Sequence, residues 1–151
     1  MASSKPLTSF MRELETETNV FRAFIEILKK EESALIDGKV DEMDYLTSDK
    51  SRLIEELMHL DAKRSEYLMQ QGLPFEKSIV NAWLVEQCVD QPNLKTLWDE
   101  LLSLAQTAQQ LNRTNGLIIS NRMQHNQRAF VALHCAAGNV SLYGPQGQTY
   151  L

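Results

Sequence analysis

Glycine and proline are scarce in this chain, six and four of 151 residues. That scarcity argues against a turn-rich β protein, which needs such punctuation at its turns. Cysteine is scarcer still. Cys88 and Cys135 lie far apart and form no Cys-x-x-Cys pair, so each reads as a small buried hydrophobe. No apolar run reaches the ~18 residues that mark a membrane span. The first residues, Met-Ala-Ser-Ser-Lys-Pro, lead into charged sequence, which predicts no secretory signal and a reducing, cytoplasmic setting.

Catalytic signatures are missing too. Gly144-Pro-Gln-Gly147 is not followed by the Lys-Ser/Thr of a phosphate loop, and there is no Gly-x-Ser-x-Gly elbow. Glu56-Leu57-Met58-His59 is one Glu-x-x-His, a motif that di-iron bundles use twice. Arg122 and Val131 stand three residues before His125 and His134, so there is no second copy, and His59 reads as part of a helix face. Glu31-Glu32 and Glu55-Glu56 read as solvated helix surface. The expectation is a protein that is not an enzyme and needs no cofactor and no metal.

Acidic residues are absent after Glu100. Residues 101–151 carry only Arg113, Arg122 and Arg128, a local charge of +3 against −8 for the rest. Three arginines are too sparse for a nucleic-acid footprint. The last third is polar through Asn, Gln, Ser and Thr instead.

What the sequence does have is helical periodicity, and the fold class expected is all-α. Leu7, Leu14, Phe21, Leu28 and Leu35 recur every seventh residue, with Phe10, Met11, Phe24 and Ile25 widening the stripe. The repeat predicts a long helix over about 6–37 with one seam toward a partner helix. Pro6 suits its first turn and Gly38 a left-handed C-terminal cap. Leu46, Leu53, Leu60 and Tyr67 repeat the pattern over about 41–71, with Asp41 as N-cap and Gly72-Leu-Pro74 as the stop. The short link predicts an antiparallel hairpin. A short helix over 75–88 would turn Ile79 and Trp83, and with them Val80 and Leu84, inward. A last helix over about 91–133 follows Leu94, Leu97, Leu101, Leu104, Ala108, Leu111 and Ile118. It passes through Asn115-Gly116 without a change of phase, so Gly116 is tolerated at about 1 kcal/mol relative to Ala. A tail over 138–151 is expected to be flexible, and residues 1–151 to form a single helical domain, a coiled-coil-like bundle.

The last helix has more apolar surface than one seam requires. Leu104, Leu111, Ile118 and Ala132 form one stripe, interrupted by His125; Ile119, Met123, Phe130 and Ala137 form a second. Either both stripes are core, or one packs internally and the other meets a partner helix, where Met123 would adapt to more than one surface.

Leu111-Asn112-x-x-Asn115-Gly116-Leu117-Ile118, Asn126-Gln127, Leu133, and Leu142-Tyr143-Gly144-x-x-Gly147-Gln148-Thr149 resemble the C-terminal region of the FlgN family, over about forty residues. The N-terminal two thirds match only in helical pattern. The resemblance implies a cytoplasmic chaperone of the bacterial flagellar type III export system. Such a chaperone binds the hook-filament junction proteins FlgK and FlgL, prevents their premature assembly, and delivers them to the export-gate protein FlhA. Carried onto this chain, it implies cargo contacts at Leu111, Asn115, Ile118, Ile119, Arg122, Met123, Asn126, Phe130 and Leu133. It implies gate docking at Tyr143, Gly144, Gly147 and Gln148. This chain ends two residues after Thr149, whereas some relatives carry a longer tail. The competing readings are a coiled-coil adaptor with no secretion role and a four-helix metalloenzyme. Self-association through the second stripe is a further expectation.

Overall fold

The computed structural model describes residues 5–74 and 76–136, without the side chains of Asn126 and of residues 134–136. It contains four helices: α1 (Leu7–Asp37), α2 (Val40–Gln70), α3 (Lys77–Gln87) and α4 (Leu94–Ala136). They pack as a helical bundle, as the periodicity requires. The expected tail over 138–151 lies outside the described residues. The chain falls into two compact units, Met1–Asn112 and Arg113–Leu151.

Both helix stops in the hairpin are built on glycine. Gly38 sits at φ 71° and Gly72 at φ 74°, a left-handed conformation in which an L side chain is strained. After α1, the Lys39 N–H returns to the Ala34 carbonyl at 2.9 Å. After α2, Gly72 N–H bonds the Met69 carbonyl at 2.9 Å and Leu73 N–H the Leu68 carbonyl at 3.1 Å. That double closure is the Schellman arrangement, and it satisfies carbonyls the helix end would otherwise leave bare. A Cβ on Gly72 would meet nothing within 4 Å. Gly72→Ala is therefore expected to cost about 1–2 kcal/mol through backbone strain alone, measured as a fall in the urea midpoint.

The start of α2 differs from expectation. Asp41 does not cap it. The helix already includes Val40, the capping position is Lys39, and no side chain bonds the free N–H groups there. Asp41 and Glu42 lie in the first turn instead, where a negative charge opposes the positive helix end. Pro6 stands one position before α1.

Two apolar clusters hold the first unit. At one end all four helices meet: Phe10 and Leu14 of α1, Tyr67 of α2, Leu84 of α3, and Leu94 and Leu101 of α4. Phe10 stacks on Tyr67 with ring centroids 4.1 Å apart, and Trp83 meets both rings edge-on at 6.2 Å. In α3 the buried residues are Val80 and Leu84, while Ile79 is exposed. The expected inward turn of Ile79 fails because only positions 80, 84 and, part-buried, 83 face the cluster. The second cluster joins Phe24, Ile25 and Leu28 of α1 to Leu53 and Leu60 of α2 and Ala108 of α4. Each fully buried Leu or Phe stabilises by about 1.5–3 kcal/mol relative to exposure.

Among the described residues, two ion pairs join α1 to α2. Arg64 of α2 donates to Glu17 of α1 and to Asp61 of its own helix. Lys50 Nζ donates to both Glu31 carboxylate oxygens at 3.2 and 3.3 Å. Glu31 is buried, which corrects its reading as solvated surface: it faces α2, and Lys50 makes that burial tolerable. Glu17 with Arg64, Glu31 with Lys50 and Phe10 with Tyr67 all pair a rising number with a falling one, so α1 and α2 run antiparallel.

Candidate interaction surfaces

The second unit presents the helical segment 113–136. Asn115 is fully buried, and Ile118 and Phe130 are half-buried. Ile119, Met123, Leu117 and Leu133 are exposed at 37, 41, 60 and 70%, and Arg122 is exposed beside them. Leu111 belongs to the first unit, where it is half-buried against the second apolar cluster. The expected cargo residues therefore divide. Leu111, Ile118 and Phe130 are half-buried and Asn115 is fully buried, while the side chains of Ile119, Arg122, Met123 and Leu133 are exposed. Ala132, assigned to the first stripe, is exposed. The side chain of Asn126, and Ala137, Tyr143, Gly144, Gly147 and Gln148, lie outside what is described.

Gly116 lies within α4, and a Cβ added there meets nothing within 4 Å. Gly116→Ala is expected to stabilise this segment by about 1 kcal/mol, visible as a higher helical signal at 222 nm on warming. A fall in helicity would show that something packs against the glycine.

The first unit contains a groove that sequence reasoning did not find. It encloses about 650 Å³ between α2 and α4, with Glu17 and Phe21 of α1 at its base and α3 at one end. Ile54, Met58 and Leu102 are exposed along it, and Trp98 and Leu101 are buried. Burial pushes the Glu17 carboxyl above its ordinary pKa, and the Arg64 hydrogen bond and charge only partly oppose this. Two carboxylates, Glu17 and Asp61, thus share one guanidinium at the wall of an apolar groove.

A signal for Glu17 and Glu31 existed in the sequence. Phe10, Leu14, Glu17, Phe21, Phe24, Leu28, Glu31 and Leu35 alternate in steps of four and three, so both carboxylates stand in phase with the seam. Leu46, Lys50, Leu53, Leu57, Leu60, Arg64 and Tyr67 do the same on α2. Charges of opposite sign at seam positions of both partners are the mark of an internal ion pair.

Among the described residues, no three His, Cys, Asp or Glu side chains are grouped to hold a metal ion. His59 and His125 are both exposed. No described helix is long and apolar enough to cross a membrane.

Comparison with known proteins adds a family. The family model described as FlgN protein matches residues 1–150. A flagella synthesis protein FlgN of Yersinia enterocolitica serotype O:8 / biotype 1B is 26% identical over 136 residues, covering 89% of this chain and 84% of that protein. A second protein of the same name, from Yersinia enterocolitica, is 28% identical over 123 residues, covering 80% and 76%. No solved structure matches significantly.

Proposed function

The chain belongs to the FlgN family, and from that premise we propose that it is a cytoplasmic export chaperone for hook-filament junction proteins of the FlgK and FlgL type. The match extends over nearly the whole chain, and the similar proteins are named for flagella synthesis. A flagellar role follows from the family; cargo, gate and mode of action are our reading.

The observation that carries it is the segment 113–136. Leu117, Ile119, Met123 and Leu133 are exposed there, on a stretch of α4 that holds three arginines and no acidic residue. Exposed apolar side chains on a helix are suited to covering another apolar helix. Junction subunits with apolar terminal helices would otherwise pair with one another before export. Covering such a helix reversibly needs no nucleotide, metal or catalytic group. Tyr143, with Gly144, Gly147 and Gln148, is assigned to docking at FlhA.

The test is co-purification with terminal fragments of junction proteins from the same genome. Wild type is expected to bind at micromolar concentration. Met123→Asp should weaken binding by about tenfold or more, since it places a charge in an apolar contact, and should leave the thermal unfolding of the chain unchanged. Tyr143→Ala is expected to retain cargo and lose affinity for the gate. Failure of wild type to bind any junction fragment would remove the central claim; lost cargo with intact gate binding in Tyr143→Ala would reverse the assignment of the tail.

A further inference from the structure

The first unit is a four-helix bundle with one helix too short for its place. α1 and α2 have 31 residues each, whereas α3 has 11. Val80 and Leu84 of α3 are buried with Tyr67 and Leu68 of α2 and Trp98 and Leu101 of α4, so α3 fills the space between α2 and α4 at that end. The groove opens at its first turn, where Glu76, Lys77 and Asn81 line it. It then follows α2 from Leu68 back to Ile54, about 20 Å at ~1.5 Å per residue. Ile54, Met58 and Leu102 are left exposed there. Both walls have the spacing of a helix seam. Ile54, Met58 and Asp61 on α2, and Trp98, Leu102 and Ala105 on α4, stand at i, i+4 and i+7, and such rows of side chains form the grooves into which a further helix packs.

Charge narrows what fits. The groove is lined by three carboxylates, Glu17, Asp61 and Glu76, and two cations, Arg64 and Lys77. Arg64 is already shared by Glu17 and Asp61. All eight acidic residues of α2 are exposed, whereas Lys50, Lys63 and Arg64, three of its four basic residues, are half-buried, so the rim along α2 is acidic. We propose that the groove between α2 and α4 is a docking site for an amphipathic, basic helix of another protein, about four turns long, which takes the place a longer α3 would fill. Its apolar residues, spaced i, i+4 and i+7, lie against Ile54, Met58 and Leu102, and its lysine or arginine meets Asp61. Met58 lets the wall adapt to the side chains it receives. The site uses none of the residues assigned to cargo or to the gate. Cargo and this helix are therefore held by different residues, and the inference fails separately from the chaperone reading.

The test is NMR of the full chain with carbon-13 methionine methyl groups, titrated with two synthetic helical peptides of about four turns. Both carry leucine at i, i+4, i+7 and i+11; the flanking positions are lysine in one and glutamate in the other. The lysine peptide is expected to shift the Met58 signal saturably at micromolar concentration and to leave Met123 unmoved. The glutamate peptide is expected to bind at least about tenfold more weakly. Met58→Gln with Leu102→Gln, at two exposed positions, should weaken the lysine peptide by about tenfold or more in calorimetry, with folding checked by circular dichroism. Before any peptide is added, a soluble paramagnetic agent is expected to broaden Met58. A Met58 signal shielded from that agent would show the groove already filled, by a second copy or by residues 137–151, and overturns the proposal. So does the absence of binding, equal affinity for the two peptides, a lysine peptide that moves Met123 and not Met58, or a folded Gln variant that binds as wild type does.

Discussion

Phe10→Ala is expected to destabilise the first unit by roughly 3–5 kcal/mol, a large share of the ~5–15 kcal/mol that holds a typical domain. Phe10 is fully buried, stacked on Tyr67 and met edge-on by Trp83. Its removal empties the place where α1, α2 and α3 converge, and the cavity left behind adds to the lost transfer free energy. Urea denaturation followed at 222 nm is the measurement. Met58→Ala, at an exposed position, should move the midpoint by no more than about 0.5 kcal/mol. A Phe10→Ala loss as small as that would mean the aromatic cluster contributes little.

Arg64→Ala is expected to cost about 3 kcal/mol, and more as pH rises. Glu17 is 2% exposed, and burial already raises its pKa above 4.5 in spite of Arg64. A raised carboxyl means that the folded chain binds the proton over a range where the unfolded chain has released it. Stability from this group therefore falls as pH climbs from 4.5 through the folded pKa. Arg64 is the group that lowers that pKa, so its loss pushes the value further up and extends the decline. The deficit of Arg64→Ala should thus be smaller near pH 5 than near pH 8. Removing both charges, as Glu17→Leu with Arg64→Met, should recover most of the loss, since an apolar pair of similar volume avoids the desolvation cost. A deficit that is flat with pH would show Glu17 is not the residue left uncompensated.

The hairpin was legible because its signals are local. Heptad leucines, Gly38 and Gly72-Leu-Pro74 each act within a few residues, and the helices run from Leu7 to Asp37 and from Val40 to Gln70. Glu31 was misread because the pair Glu31-Glu32 has the look of solvated surface, although Glu31 alone is in phase with the seam. What distinguishes it is Lys50, nineteen positions away on another helix. Ile79 was misread because α3 has eleven residues, too few turns to set a phase. The groove was invisible for a related reason: its walls come from α2 and α4, and no spacing within either helix encodes the gap between them. On the segment 113–136, the excess of apolar positions was legible, whereas the burial of polar Asn115 beside an exposed Leu117 was not.

The link between α1 and α2 is two residues, Gly38 and Lys39. So short a closure costs little chain entropy, and it brings Phe24, Ile25 and Leu28 toward Leu53 as soon as α2 has begun to form. Contacts near in sequence favour fast folding. During synthesis the hairpin can therefore zip from its turn outward, with Glu31–Lys50 joining before Glu17–Arg64 and Phe10–Tyr67 last. The nascent chain would hold a registered two-helix platform before residues 94–112 leave the ribosome, and the segment 113–136, with its exposed apolar side chains, would be the last helical stretch to emerge.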